Sequence, residues 1–194
     1  MKSIKINSNK YLQNRMTAIV INGISGSGKT TIGQYLSKIL KYDFIDLDSF
    51  YKKDKPKIIL NGKTVSNWDC IEALDIEKMH ETVNKKENVV LVGFALTKKV
   101  ISGIKHKIIN IHLKTGNDDD TIYERCIQAR KISKNFNKEK EKMDKLMVKN
   151  VTLPFYKKIC EEEYFDKLVE VFHSNERRKI KEIIEEIILF IHNF

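Results

Sequence analysis

The string Gly23-Ile24-Ser25-Gly26-Ser27-Gly28-Lys29-Thr30 constrains this chain more than any other feature. It is preceded by the apolar run Ala18-Ile19-Val20-Ile21. It is followed by Ile32, Leu36, Ile39 and Leu40, spaced as one face of a helix. Strand, glycine-rich turn and helix in that order make a P-loop. Gly23, Gly26 and Gly28 let the backbone aim its N–H groups inward, forming an anion nest at a helix N-terminus. Ser25, Ser27 and Thr31 complete the loop and the first helical turn. Lys29 is placed to reach the β- and γ-phosphates of a nucleoside triphosphate. The Thr30 hydroxyl is a hard oxygen ligand of the kind Mg²⁺ prefers. The pattern therefore implies ATP and Mg²⁺ as cofactors.

The rest of the chain alternates strand and helix, as a parallel α/β sheet requires. Phe44 to Leu47 reads as a second strand with Asp48 at its carboxyl end. Val89 to Val92 reads as a third strand, Lys107 to Leu113 as a fourth and Lys167 to Phe172 as a fifth. Residues 49–68 are polar and contain Pro56 and Asn61-Gly62, and they read as a long functional loop. Asp75 is placed to cap a helix running to about Asn84. Thr115 or Asn117 is placed to cap the next helix, with Asp118, Asp119 and Asp120 in its first turn. Residues 130–149 are highly charged and read as a helical lid over the phosphates or as a solvated helix. A helix follows at about Pro154 to Glu163, and Ser174 caps a last helix striped with isoleucine from Ile180 to Ile191. The expectation is a P-loop α/β fold with a five-stranded parallel sheet flanked by helices. Residues 1–16 form a flexible extension and 17–194 a single domain.

Composition excludes little, but it does set limits. The net charge of +10 accompanies lysines scattered in pairs, without a basic segment interleaved with aromatics. It reads as a bias toward Lys, Ile and Asn, which argues against nucleic acid as a partner. Cys70, Cys126 and Cys160 lie far apart, which favours a reducing, cytoplasmic compartment. No apolar run approaches the roughly 18 residues that a membrane span needs.

Three segments carry a family resemblance: Asn22 to Thr31, Asp48-Ser49-Phe50-Tyr51-Lys52, and Trp68-Asp69-Cys70-Ile71-Glu72-Ala73-Leu74-Asp75-Ile76-Glu77-Lys78-Met79. Together they resemble the uridine kinase and nicotinamide riboside kinase group. The resemblance implies a sheet order of 2-3-1-4-5 and phosphorylation of the 5′-hydroxyl of a nucleoside or ribosyl nucleoside. It makes Asp48 the general base, and Trp68 and Asp69 the selectors of base and ribose. Lys29, Arg125 and Arg130 become the cations that stabilise the transferring phosphoryl group, and Thr30 with Asp48 the metal site. One departure stands out: Val92 occupies the position where that group has a glutamate of the magnesium shell, leaving Asp46 to assist. Two other readings stay open, a nucleotide-binding protein without turnover, suggested by Val92, and a nucleic-acid-end kinase, suggested by the charge.

Overall fold

The structure, a computed structural model, describes residues 16–131, 137–173 and 176–194. The first fifteen residues, part of the expected lid (132–136) and the expected cap Ser174 lie outside the described residues. Met16, assigned to the extension, already contacts the sheet, since its carbonyl accepts from Lys107 N at 2.8 Å.

The chain begins with β1 (Thr17–Asn22), α1 (Lys29–Leu40) and β2 (Asp43–Asp46). A hairpin of β3 (Lys57–Leu60) and β4 (Lys63–Ser66) follows, then α2 (Ile76–Asn84), β5 (Asn88–Gly93) and the short α3 (Lys98–Ile101). The second half holds β6 (Lys107–Lys114), α4 (Asp119–Lys131), α5 (Lys138–Met147) and α6 (Leu153–Glu162). It ends with β7 (Lys167–Glu170), the two-residue pair β8 (Phe172–His173) and β9 (Glu176–Arg177), and α7 (Ile180–Asn193). Five strands form one parallel sheet in the order β2-β5-β1-β6-β7, which is 2-3-1-4-5 counted over those strands. The P-loop α/β expectation and its strand order are met.

Alternation along the central strands sends successive side chains to opposite faces. Ile19, Ile21, Val90 and Val92 pack under α1 and α7, whose buried stripe is Ile183, Ile184, Ile187, Ile188 and Ile191. Ala18, Val20, Val89 and Leu91 face α2 and α3 on the other side. α4 and α6 close the remaining part of that side around Ile122, Cys126, Tyr156 and Ile159. Strands buried on both faces are why these runs lack polar alternation.

Several local expectations change. Residues 57–66 are a hairpin rather than an irregular loop. Asn61 and Gly62, with φ of 49° and 73°, make the left-handed pair that a tight hairpin turn needs. Asp75 caps α2 as expected, accepting from Lys78 N. The cap of α4, however, is Asp118, which accepts from both Thr121 N and Thr121 Oγ1 at 2.8 Å, in place of Thr115 or Asn117. The fifth strand ends at Glu170. The β8–β9 pair then separates it from α7, which starts at Ile180 with Lys179 at its N-cap. No helix among the described residues is long and apolar enough to cross a membrane.

Val92 is fully buried, and its Cγ1 lies against Gly33 of α1. A side chain there faces the core rather than the phosphate loop. Val92→Glu should therefore bury an unpaired carboxylate, lowering unfolding free energy by about 4 kcal/mol or more. Urea denaturation of the variant beside wild type checks this, and a well-folded Val92→Glu would contradict the packing.

Candidate active site

The site forms where the carboxyl ends of the parallel strands meet helix N-termini, the usual ligand side of an open α/β sheet. The P-loop leaves β1 through Asn22, which is buried. Its Oδ1 accepts from Gly23 N at 3.1 Å and its Nδ2 donates to Leu96 O at 3.2 Å, pinning the loop's entry to the segment after β5. Gly26 and Gly28 both take left-handed backbone, with φ of 86° and 85°. A Cβ on Gly26 would also lie 3.0 Å from Ala129 Cβ and the Arg125 carbonyl, so α4 sits directly on the loop. The loop's shape thus fits a phosphate chain held by backbone amides.

Lys29 opens α1 beside Asp48, Asp46 and Asp69. Withdrawal from solvent pulls its ammonium below the ordinary lysine value, and those three carboxylates act in the opposite sense. The Thr30 hydroxyl points at Asp46 Oδ2, 3.4 Å away. Asp46 also accepts from Asp48 N at 3.0 Å, so it organises the turn that presents Asp48. A threonine hydroxyl next to a carboxylate at the end of a phosphate loop is a hard-oxygen pair suited to Mg²⁺. Asp48 itself is raised above the ordinary carboxylate value, mainly by loss of hydration and by Asp46, with Lys29 acting against both.

Beyond Asp48 opens a pocket of about 960 Å³ between the β3–β4 hairpin and α5. Asp69 forms its floor. This carboxylate is nine-tenths buried and accepts a short hydrogen bond from Thr152 Oγ1. Arg130 closes the group, with Nη2 3.4 Å from Asp69 Oδ2 and 3.1 Å from Thr152 Oγ1, and Nη1 3.8 Å from Asp144 Oδ1. Thr152 is delivered by a π-helical turn, Val148–Thr152, between α5 and α6. Trp68 is half-exposed, with its edge against Tyr51 and its face capped by Lys55 Nζ at 3.8 Å. Arg125 lies elsewhere, stacked 3.6 Å from the Phe172 ring in the wall of a separate pocket of about 170 Å³ with Asn117 and Asp118. Of the residues singled out from sequence, Lys29, Asp48 and Asp69 are thus electrostatic neighbours, Thr30 adjoins them through Asp46, and Trp68 and Arg130 share the pocket with Asp48 and Asp69. Arg125 does not.

Sequence reasoning missed Thr152, Asp144 and Arg177. The Arg177 guanidinium reaches back to Gly26 O and Ser27 O, at 3.4 Å each. No local pattern announces such a contact, because the partners are about 150 residues apart.

Comparison with known proteins decides the family. A model of the shikimate kinase family matches residues 25–191. The chain belongs to that family. The shikimate kinase of Clostridium botulinum (strain Okra / Type B1) is 26% identical over 171 residues, 84% of this chain and 99% of that protein. A gluconokinase of Arabidopsis thaliana is 38% identical over 85 residues, 42% of this chain and 44% of that protein. The chain spans about half the length of the curated relatives with the higher identities, 44%, 53% and 38% in three cases. A sugar kinase structure from Janibacter sp. HTCC2649 aligns with a TM-score of 0.59 at 16% identity, covering 92% of this chain and 95% of that one, and shows the shared fold. Kinases of the shikimate and gluconate type use ATP with Mg²⁺.

Membership in the shikimate kinase family overturns the resemblance to uridine and nicotinamide riboside kinases, and with it a nucleoside as the small-molecule partner. The geometry gives the physical reason. The Trp68 face that would stack on a base is covered by an ammonium, and Asp69 is engaged by Thr152 and Arg130 instead of being open to a ribose diol.

Removing the ammonium of Lys29 tests the phosphate site. Lys29→Met should weaken ATP·Mg binding by roughly tenfold or more, the scale of a charge-assisted contact, as read by titration calorimetry.

Proposed function

We propose that this chain is an ATP-dependent kinase that phosphorylates a hydroxyl of a small polyhydroxylated acid. The observation that carries the reading is Asp48, set between the phosphate loop and the large pocket and coupled electrically to Lys29. The names of the family and of its relatives supply the acceptor class, since shikimate and gluconate are both hydroxylated acids.

ATP supplies the phosphoryl group, and Mg²⁺ neutralises charge on its phosphates. The chain's own work is positional and electrostatic. The amides of Ser25, Gly26, Gly28 and Thr31 form the cradle, those of Gly23 and Ser27 bond within the loop's own frame, to Asn22 Oδ1 and Ile24 O, and Lys29 adds a point charge. Thr30 with Asp46 holds the metal side, and Asp46 takes the supporting place first given to Asp48. Asp48 orients the acceptor hydroxyl and takes its proton. Its raised proton affinity brings it nearer to neutral pH, where a general base works best.

Arg130 acts in the acceptor pocket, holding Asp69 and Thr152 in place, rather than over the phosphates. Arg125 with Phe172 walls the smaller pocket beside the loop, where a nucleotide base has room. Trp68, braced by Tyr51, forms a side of the acceptor pocket. The reading of a binding protein without turnover loses its motive, because Val92 packs in the core.

Asp48→Asn should lower turnover of ATP with an accepted hydroxy acid by about a hundredfold or more, leaving ATP affinity within a few-fold. A coupled ADP-release assay and calorimetry read the two quantities. Because the carboxylate must be ionised to act, wild-type turnover should fall as pH drops through a pKa above 3.8. Wild-type activity in Asp48→Asn would refute its role as base.

A further inference from the structure

We infer that the pocket between β6, α4, α6 and the start of β7 is a second ligand site. It takes a small, uncharged, planar aromatic molecule that carries one hydrogen-bonding group. The pocket shares no lining residue with the acceptor pocket.

The cavity holds about 470 Å³, within the range of small-molecule sites. Its back wall is aromatic. His112 of β6 lies nearly parallel to Tyr156 of α6, with ring centres 5.5 Å apart, and 4.5 Å from Phe165 in the turn before β7. Ile122 of α4 closes one side. At the mouth, Tyr164 and Leu168 are 80% and 56% exposed. Large apolar side chains left in water at the lip of an aromatic cavity gain by being covered.

The polar groups of the wall converge on one point. His112 Nε2 lies 2.9 Å from the Tyr156 hydroxyl and 3.9 Å from Cys160 Sγ. Burial, with Lys114 adding to it, pulls the imidazole down to about 4, so the ring is neutral at neutral pH. Whichever partner donates in the His112–Tyr156 bond, the hydroxyl keeps capacity for a further one. The charges around the mouth are already engaged. Lys157 pairs with Asp119, Lys114 lies 3.8 Å from Glu170, and Glu163 accepts from Lys98 N at 2.7 Å. An ionised ligand would have to break one of these or face the aromatic wall uncompensated. A neutral ring breaks none, and its edge and faces suit aromatic neighbours.

Lys114, Gly116 and Asn117 also line the smaller pocket assigned to the nucleotide base. One short segment thus walls both cavities, and filling one bears on the other. That coupling rests on placing the base there; the second site itself does not depend on the kinase reading.

NMR titration of the full chain with indole, N-methylindole, cyclohexanol and benzoate tests the site. Indole should bind with a dissociation constant of about 1 mM or tighter, and the other three about fivefold more weakly. Leu168→Asp, at an exposed position that leaves the fold intact, should weaken indole about fivefold or more. Saturating indole should slow alkylation of Cys160 by iodoacetamide several-fold, read by peptide mass, and leave Cys70 unchanged. It should also shift ATP affinity by about twofold or more. Absent indole binding, binding unchanged in Leu168→Asp, or an unprotected Cys160 overturns the site. Cyclohexanol or benzoate binding as well as indole overturns the ligand class, and equal binding of N-methylindole overturns the hydrogen bond. Unaltered ATP affinity overturns the coupling.

Discussion

The structure depends on holding two left-handed glycines, Gly26 and Gly28, at the end of a strand buried on both faces. β1 is flanked by β5 and β6, so its carboxyl end cannot shift without breaking two ladders. Asn22 then ties the first residue of the loop to Leu96, at the exit of β5. α4 and Arg177 press on the loop from the other side. A backbone nest works only if its amides are oriented before the anion arrives. The sheet provides that orientation, and Asp46 and Asp48 inherit it because β2 pairs in parallel with β5.

What could be read from the sequence was what is local. The phosphate loop, the Asp75 cap, the central strands and the isoleucine stripe of α7 are set by residues within a few positions of one another. The hairpin at 57–66 was harder, because its faces are largely solvated and its strands are only four residues each. Asn61-Gly62 was its one strong signal. The displaced start of α7 has a similar origin: the β8–β9 pair is two residues per strand, too short for any periodicity to register.

The acceptor site shows where local reading stops. Trp68-Asp69 running into a capped helix resembles a nucleoside-kinase segment, and the α2 cap it announced is real. Yet what Asp69 can bind is decided by Arg130 and Thr152, which lie 61 and 83 residues further along. A carboxylate that is open to a sugar diol and one already bonded to a hydroxyl and a guanidinium look identical in sequence. Family membership and the contacts of this cluster point the same way, and both differ from the segment taken alone.

The same cluster bears on how the wall of the pocket is held. Two kinds of contact join α5 to the rest of the site. Lys63–Glu139 links it to the hairpin, but both side chains are more than half exposed, and such pairs contribute about 0–1 kcal/mol and weaken with salt. The Asp69–Thr152–Arg130 group is largely buried, and leaving any of its members unpaired would cost more than the surface pair returns. The π-helical turn is therefore the firmly held end of the covering segment, and the hairpin end of α5 is held by the weaker contact. Asp144 lies on that helix within reach of Arg130, so an ion pair joins α5 to the bonded group of Asp69 and Thr152 at the firm end.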